Sequence, residues 1–277
     1  NENENENENK QETQYIGGFS ELMVYFKPTY NFKELYKVTK IVTYNLNKII
    51  DLNFYPVPET RYSNRLHRPL GIGVQGLADV YAKMRVGFDS PEAHLLNSQI
   101  FATIYYASME ASMNISKNRN IALNRIRELR ELYHPEYIKY TQTAKSHYME
   151  NDIYKWKTGA GEFQTTNEEL KLLEKEHLPI DEELYILDNN GNFIDNRDPN
   201  YVGSYSSFIG SPLSKGKFQF NLWDKEPLTK VGDIVLNWDD LRKNVIQYGV
   251  RNSLLIAPMP TASTSQIMGN NECIEPF

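Results

Sequence analysis

Between Ser90 and Ser112 the chain reads SPEAHLLNSQIFATIYYASMEAS, and no other stretch constrains the fold as much. Ser90 is a helix N-cap residue type, and Pro91 suits the first helical position, where a missing N–H costs nothing. Leu96, Ile100, Ile104, Ala107 and Ala111 then recur at helical spacing on one face. Ala107, Ser108, Ala111 and Ser112 are small, so a neighbouring element can approach closely. Such a helix must be wrapped by a sizeable core. With 277 residues, 40% of them hydrophobic, the chain can supply one, as one large domain or two smaller ones.

Other segments carry their own periods. Phe32, Leu35, Val38, Val42, Leu46 and Ile49 predict a helix with one buried stripe, which Asn31 can cap and which Pro56 and Pro58 stop. Arg61 to Arg68 reads as polar and irregular. Leu77 to Met84 is a short helix following GIGVQG, and Asp239 to Gln247 is a helix ending before Gly249. Asn252 to Ala257 (NSLLIA) is an apolar strand. Pro258 to Ser263 is a turn, and Thr264 to Met268 opens a helix that Gly269 can end.

The character of the sequence marks four regions. Residues 1–14 begin with an alternating Asn/Glu tract from Asn1 to Lys10, which has no apolar face to bury and is expected to be disordered. Residues 15–117 are core-like, with a β-prone run at Glu21 to Phe26. Residues 118–205 read as a mixed α/β surface insertion. It holds charged helices at Ile121 to Tyr140 and Glu168 to His177, a Gly-rich loop at Thr158 to Glu162, and a hairpin around Asn-Gly in Tyr185 to Asp195. Core-like sequence resumes over 206–277.

Several function classes are disfavoured. A formal net charge of −6 argues against a general nucleic-acid binder, which needs concentrated Lys and Arg. No apolar run is long enough to span a membrane, and the start is not that of a secretory signal. A single cysteine, Cys273, cannot form an intrachain disulfide and suits a reducing compartment. His67, His94, His134, His147 and His177 lack metal-ligand spacing, so no metal site is expected. No G-x-S-x-G elbow is present. Asp188 to Gly191 fails the calcium-loop pattern, because glycine there would put Ile186 first. Gly71, Gly73 and Gly76 match G-x-G-x-x-G, but LHRP precedes them where a strand is needed. Close backbone packing explains those glycines better than a dinucleotide.

The best chemical site is SLLIAPMPTASTSQIMGN, from Ser253 to Asn270. It puts small hydroxyl residues where a helix begins, and the first N–H groups of a helix have no internal partner. Thr261, Ser263 and Thr264 add hydroxyl groups, and Ala262 lets a ligand reach the backbone. A phosphate fits this pattern. A cap that merely ends a turn fits it as well.

Two segments, Asn64 to Ser112 and Tyr248 to Pro276, resemble the large subunit of class I ribonucleotide reductase of the eukaryotic and viral type. Asn45 to Glu59 (NLNKIIDLNFYPVPE) and Gly210 to Gly216 (GSPLSKG) are similar too. The resemblance implies an internal piece of a ten-stranded α/β barrel. It implies a substrate-diphosphate loop at Thr261, Ala262, Ser263 and Thr264, with Pro260 and Met259 shaping the turn. It further implies a cytoplasmic enzyme reducing ribonucleoside diphosphates, with a radical from a metal-containing small subunit, a thioredoxin- or glutaredoxin-type reductant and allosteric nucleotides in the complete enzyme. The family's chemistry uses at least three thiols. With Cys273 alone, and outside the family's catalytic positions, this chain is expected to hold no catalytic residue and to need the remaining large-subunit segments. Family members bridge 118–205 with a short loop. The rival readings are a non-catalytic remnant that retains diphosphate affinity and, on Gly71 to Gly76, a dinucleotide-dependent oxidoreductase.

Overall fold

A computed structural model describes residues 29–133, 148–150, 153–158, 161–166, 186–187, 193–194 and 198–276. The N-terminal Asn/Glu tract, Glu21 to Phe26, Glu168 to His177 and the end of the Ile121 to Tyr140 segment lie outside these residues. In chain order the helices are α1 (Phe32–Leu52), α2 (Pro58–His67), α3 (Leu77–Met84), α4 (Pro91–Tyr133), α5 (Gln219–Leu222), α6 (Trp238–Tyr248) and α7 (Ala262–Met268). The strands are β1 (Tyr148–Glu150), β2 (Ile153–Thr158), β3 (Gly161–Thr166), β4 (Ile186–Leu187), β5 (Phe193–Ile194), β6 (Lys230–Val231) and β7 (Ile234–Val235). They pair antiparallel in small sheets, β1-β2-β3, β4-β5 and β6-β7. The described residues are thus mainly helical, with little sheet and no closed barrel among them.

Two compact units emerge. One is built on Val74–Asn97 and Pro260–Phe277, the other on Phe32–Gly73 and Ser98–Met259. In the second unit α1 departs from its expected stripe. Val38 and Ile49 are exposed, and the buried line is Thr39, Thr43, Asn47 and Ile50. Polar side chains can be buried here because each is satisfied: the Thr39 hydroxyl donates to Leu35 O (2.7 Å), that of Thr43 to Thr39 O (2.8 Å), and Asn47 Nδ2 to Thr43 O (3.0 Å). The segment read as irregular after Pro58 is helix α2. Pro58 opens it rather than ending anything, and Arg68 closes it in the left-handed region.

The expected face of α4 is buried: Ile100, Ile104, Ala107 and Ala111 lie at 3% exposure or less. The helix does not break near 118, however. Nothing between Lys117 and Asn120 is a glycine or proline, and of the polar residues there Arg119 and Asn120 are buried while Asn118 faces solvent. Asn120 Nδ2 donates to Asn200 O (2.7 Å) and Tyr248 O (3.0 Å), while its Oδ1 accepts from Gly203 N (2.6 Å). A Cβ on Gly203 would lie 2.3 Å from Ser116 O, so only glycine permits this approach. In the Gly-rich stretch Thr158 to Glu162, Thr158 pairs with Gly161, and Glu162 with Lys157, where β2 meets β3. The Asn-Gly hairpin is present as Ile186 opposite Ile194 and Leu187 opposite Phe193.

Residues 252–257, expected as a strand, form one isolated parallel bridge, Ile72 with Ile256. Leu70 N donates to Leu254 O (2.9 Å), Ile72 N to Leu255 O (2.8 Å) and Ala257 N to Ile72 O (3.1 Å). The partner at Leu70 to Gly73 is short, which limits the ladder. What fixes its register is Asn252, fully buried. Its Nδ2 donates to Asn47 Oδ1 (3.0 Å) and Arg68 O (2.8 Å), and its Oδ1 accepts from Asn47 Nδ2 (3.0 Å) and the Ser112 hydroxyl (2.9 Å). Arg68, 1% exposed, forks onto Asp51 at 2.6 and 3.0 Å and donates to Asn47 O. Beside this hub lies an apolar core centred on Phe208, Phe218, Leu236, Trp238, Val245 and Val250.

Replacing Asn252 by Ala strands the Asn47 amide and the Ser112 hydroxyl in the interior. An Asn252→Ala chain is expected to lose about 3 kcal/mol or more of unfolding free energy in urea melts. A loss below about 1 kcal/mol would show the hub to be dispensable.

Candidate functional site

In the first unit, α3 and α7 are tied through the segment after α7. Gly76, at φ +74°, precedes α3, and its N–H donates to Asn271 O (2.9 Å). Asp79 on α3 accepts Asn271 N–H at 2.7 Å, and Leu77 N donates to Cys273 O at 3.3 Å. Leu77, Ala78 and Tyr81 bury the inner face of α3. These contacts hold residues 270–273 beneath the start of α7.

α7 begins two residues earlier than the spacing predicted. Thr261 is its N-cap and lies in the left-handed region (φ 56°, ψ 26°), which a β-branched residue adopts only under strain. A compensating contact is visible: the Thr261 hydroxyl oxygen accepts the Cys273 N–H at 2.9 Å. The hydroxyl proton is left to donate elsewhere. The first intrahelical bond is Ser265 N to Thr261 O (2.9 Å), so the N–H groups of Ala262, Ser263 and Thr264 precede the helix's own acceptors. Ala262, Ser263 and Thr264 are exposed, and the Thr264 hydroxyl turns inward to Thr261 O (3.2 Å). Ser265 is buried and donates to Ala262 O (3.2 Å). Gly269, also left-handed, ends the helix as expected. Cys273 is buried and free. Pro260 is exposed.

Met259 belongs to the second unit, where it is half exposed. There the glycines of GIGVQG show their purpose. A Cβ on Gly73 would come within 3.2 Å of Pro258 Cα and 3.3 Å of Met259 N, and one on Gly71 within 3.3 Å of Met259 Cε. Gly73 therefore lets two backbones approach and Gly71 leaves room for the Met259 side chain, in line with the packing explanation and not with a dinucleotide turn. The same unit contains a half-open cavity of about 890 Å³, lined by Phe101, Tyr105, Phe220, Trp238, Leu254 and Ile256 among others. Among the described residues no group of three or more His, Cys, Asp or Glu is placed to hold a metal ion. No described helix is long and apolar enough to cross a membrane.

The model of the ribonucleotide reductase barrel domain matches residues 19–178 and 200–277 of this chain. The chain belongs to that family. Its relatives include the ribonucleoside-diphosphate reductase large chain 2 of Saccharomyces cerevisiae, 37% identical over 90% of this chain and 18% of that protein. The large subunit of Trypanosoma brucei brucei is 38% identical over 90% of this chain and 21% of its own length. That of Acanthamoeba polyphaga mimivirus is 36% identical, over 90% and 19% respectively. The chain thus spans about a fifth of the length of the relatives it matches. The family supports an α/β barrel as the fold class.

Sequence reasoning named the α7 loop but missed what braces it. The Asp79 carboxylate and the Thr261 hydroxyl each accept a backbone N–H, from Asn271 and Cys273, and such backbone donors carry no residue-type signal. An acid in the first turn of α3 could have been suspected as a cap, though not as one reaching Asn271. Thr261→Val keeps the shape but removes the acceptor for the Cys273 N–H. The expected result is about 1–3 kcal/mol of local destabilisation, read as faster hydrogen exchange at the Cys273 amide. Unchanged exchange there would show that the Thr261 hydroxyl is not the brace.

Proposed function

We propose that this chain is the part of a ribonucleotide reductase large subunit that binds the substrate's diphosphate, through Thr261, Ala262, Ser263 and Thr264, with Pro260 and Met259 shaping the loop. The observation that carries it is the left-handed Thr261 cap. It leaves three successive N–H groups on an exposed surface beside hydroxyl side chains, in a chain of this family. Backbone N–H groups at a helix start suit an anion, and the small Ala262 does not obstruct it.

On this reading the ligand is a ribonucleoside diphosphate, and the chain is part of a ten-stranded α/β barrel with 118–205 inserted on its surface. The reduction itself falls to groups this chain does not hold. The family's chemistry needs several thiols, and the single cysteine here is buried with its amide spent on Thr261. The remaining large-subunit segments would supply those thiols, and a small subunit the radical, in the cytoplasm. What this chain's residues do is bind and orient: the N–H groups of Ala262, Ser263 and Thr264 donate to the diphosphate and fix its position.

Calorimetric titration separates this from a plain helix cap. The full chain is expected to bind CDP or ADP and not the parent nucleosides. Ser263→Pro, which removes one donor N–H, is expected to weaken binding about tenfold or more. Equal affinity for nucleoside and nucleoside diphosphate would overturn the assignment. Mixing the chain with polypeptides carrying the missing large-subunit segments, a radical-generating small subunit and a dithiol reductant is expected to yield dCDP from CDP. Binding without any turnover would favour a non-catalytic remnant.

A further inference from the structure

The second unit holds a line of redox-capable rings that diphosphate binding does not use. Trp238 lines the 890 Å³ cavity and is 5% exposed. Tyr106 meets it edge-on at 5.0 Å between ring centroids, and Tyr36 stacks on Tyr106 at 6.4 Å. The line ends at a base: the Tyr36 hydroxyl donates to Glu110 Oε2, and Lys40 Nζ lies 2.8 Å from the same oxygen. Lys40 also sits 5.3 Å from the Tyr36 ring centroid, so Glu110 faces a cation and a phenol together.

The three rings differ in where their protons can go. Trp238 Nε1–H donates to Leu228 O at 2.8 Å, and the Tyr106 hydroxyl is 3.5 Å from Asn237 O. Both acceptors are amide carbonyls, which are very weak bases. Tyr105, 5.8 Å from Trp238, has a hydroxyl that accepts the Gln219 N–H. Tyr36 alone among these four is hydrogen-bonded to a carboxylate.

We infer that Trp238, Tyr106 and Tyr36 form a one-electron relay, which carries an oxidising equivalent out of the cavity wall and ends it on Tyr36, with Glu110 taking the phenolic proton. The initiating oxidant is a small oxygen- or nitrogen-centred radical that reaches the cavity and takes one electron from the Trp238 indole, itself becoming an anion. Tyr106, packed between the two rings, bridges them, and the electron that refills Trp238 comes from Tyr36, the one phenol of the line with a carboxylate to take its proton. As the electron leaves Tyr36, its O–H bond breaks and an O–H bond forms on the Glu110 carboxylate. The sum is one oxidant reduced, Tyr36 converted from phenol to neutral phenoxyl, and one proton moved to Glu110. An electron donor in solvent then restores the phenol, with Glu110 returning the proton. At rest, burial and the neighbouring carboxylate hold the Tyr36 pKa above its ordinary value. The proton therefore stays on the phenol until the electron departs. The role is protective: a hole left on Trp238 would damage the core, whereas Tyr36 is only partly buried.

Laser flash photoionisation tests this in the full chain. Trp156→Phe and Trp223→Phe leave Trp238 as the one indole of the three in the sequence. The tryptophan radical is expected to give way to tyrosyl absorption in a step independent of protein concentration. Glu110→Gln and Tyr36→Phe are each expected to slow that step about tenfold. Tyr62→Phe, on an exposed side chain away from the line, is expected to leave it unchanged. Tyr106→Phe is expected to lengthen the tryptophan radical's life similarly, but it alters the core, so the two partly exposed partners carry the decision. Tryptophan radical decay that is the same with and without Tyr36 and Glu110, in variants melting as the parent does, would overturn the relay.

Discussion

Everything in the second unit leans on one buried amide. Asn252 joins the segment 252–257 to α1 through Asn47, to α4 through Ser112 and to the end of α2 through the Arg68 carbonyl. Each of its polar atoms is spent, which is the condition under which a polar group can sit at zero exposure. The Arg68–Asp51 fork extends the hub, and a pair buried on one side only is costly to break. An apolar residue at 252 would pack but would not set register. The directional bonds do, and they align Ile256 with Ile72 and hence the approach of Gly73 to Pro258.

The hub also explains what was legible in the sequence and what was not. Helices α3, α4 and α6 could be read because their signals are local: a cap, a period, a terminating glycine. The inner face of α1 could not. Thr39, Thr43 and Asn47 look like surface residues until Asn252, more than two hundred positions away, is placed beside Asn47. The same holds for Asn120, whose partners are Asn200, Gly203 and Tyr248. Polar residues that satisfy one another across long separations leave no periodic trace. The two helices expected after Ser90 and from Ile121 accordingly run together as the single helix α4.

The loop at Thr261 to Thr264 was the most readable part of the candidate site, because small hydroxyl residues before a helix carry a physical meaning of their own. Its start was placed two residues late. The left-handed Thr261 is not a conformation a sequence reader would assign to a β-branched residue, and the contact that supports it, the Cys273 N–H, is a backbone group. The lone cysteine, conspicuous by count, contributes through its amide rather than its thiol. The glycines of GIGVQG were read correctly as packing residues from the wrong context around them, and Gly73 against Pro258 gives the reason.

The central claim is that a diphosphate is held by the three backbone N–H groups after Thr261. The most direct measurement is amide chemical-shift mapping of the isotopically labelled chain during titration with CDP and, separately, with cytidine. The account predicts large shifts at Ala262, Ser263 and Thr264 with CDP and none there with cytidine. Shifts confined to Gly71–Gly76, or an identical response to both ligands, would contradict it.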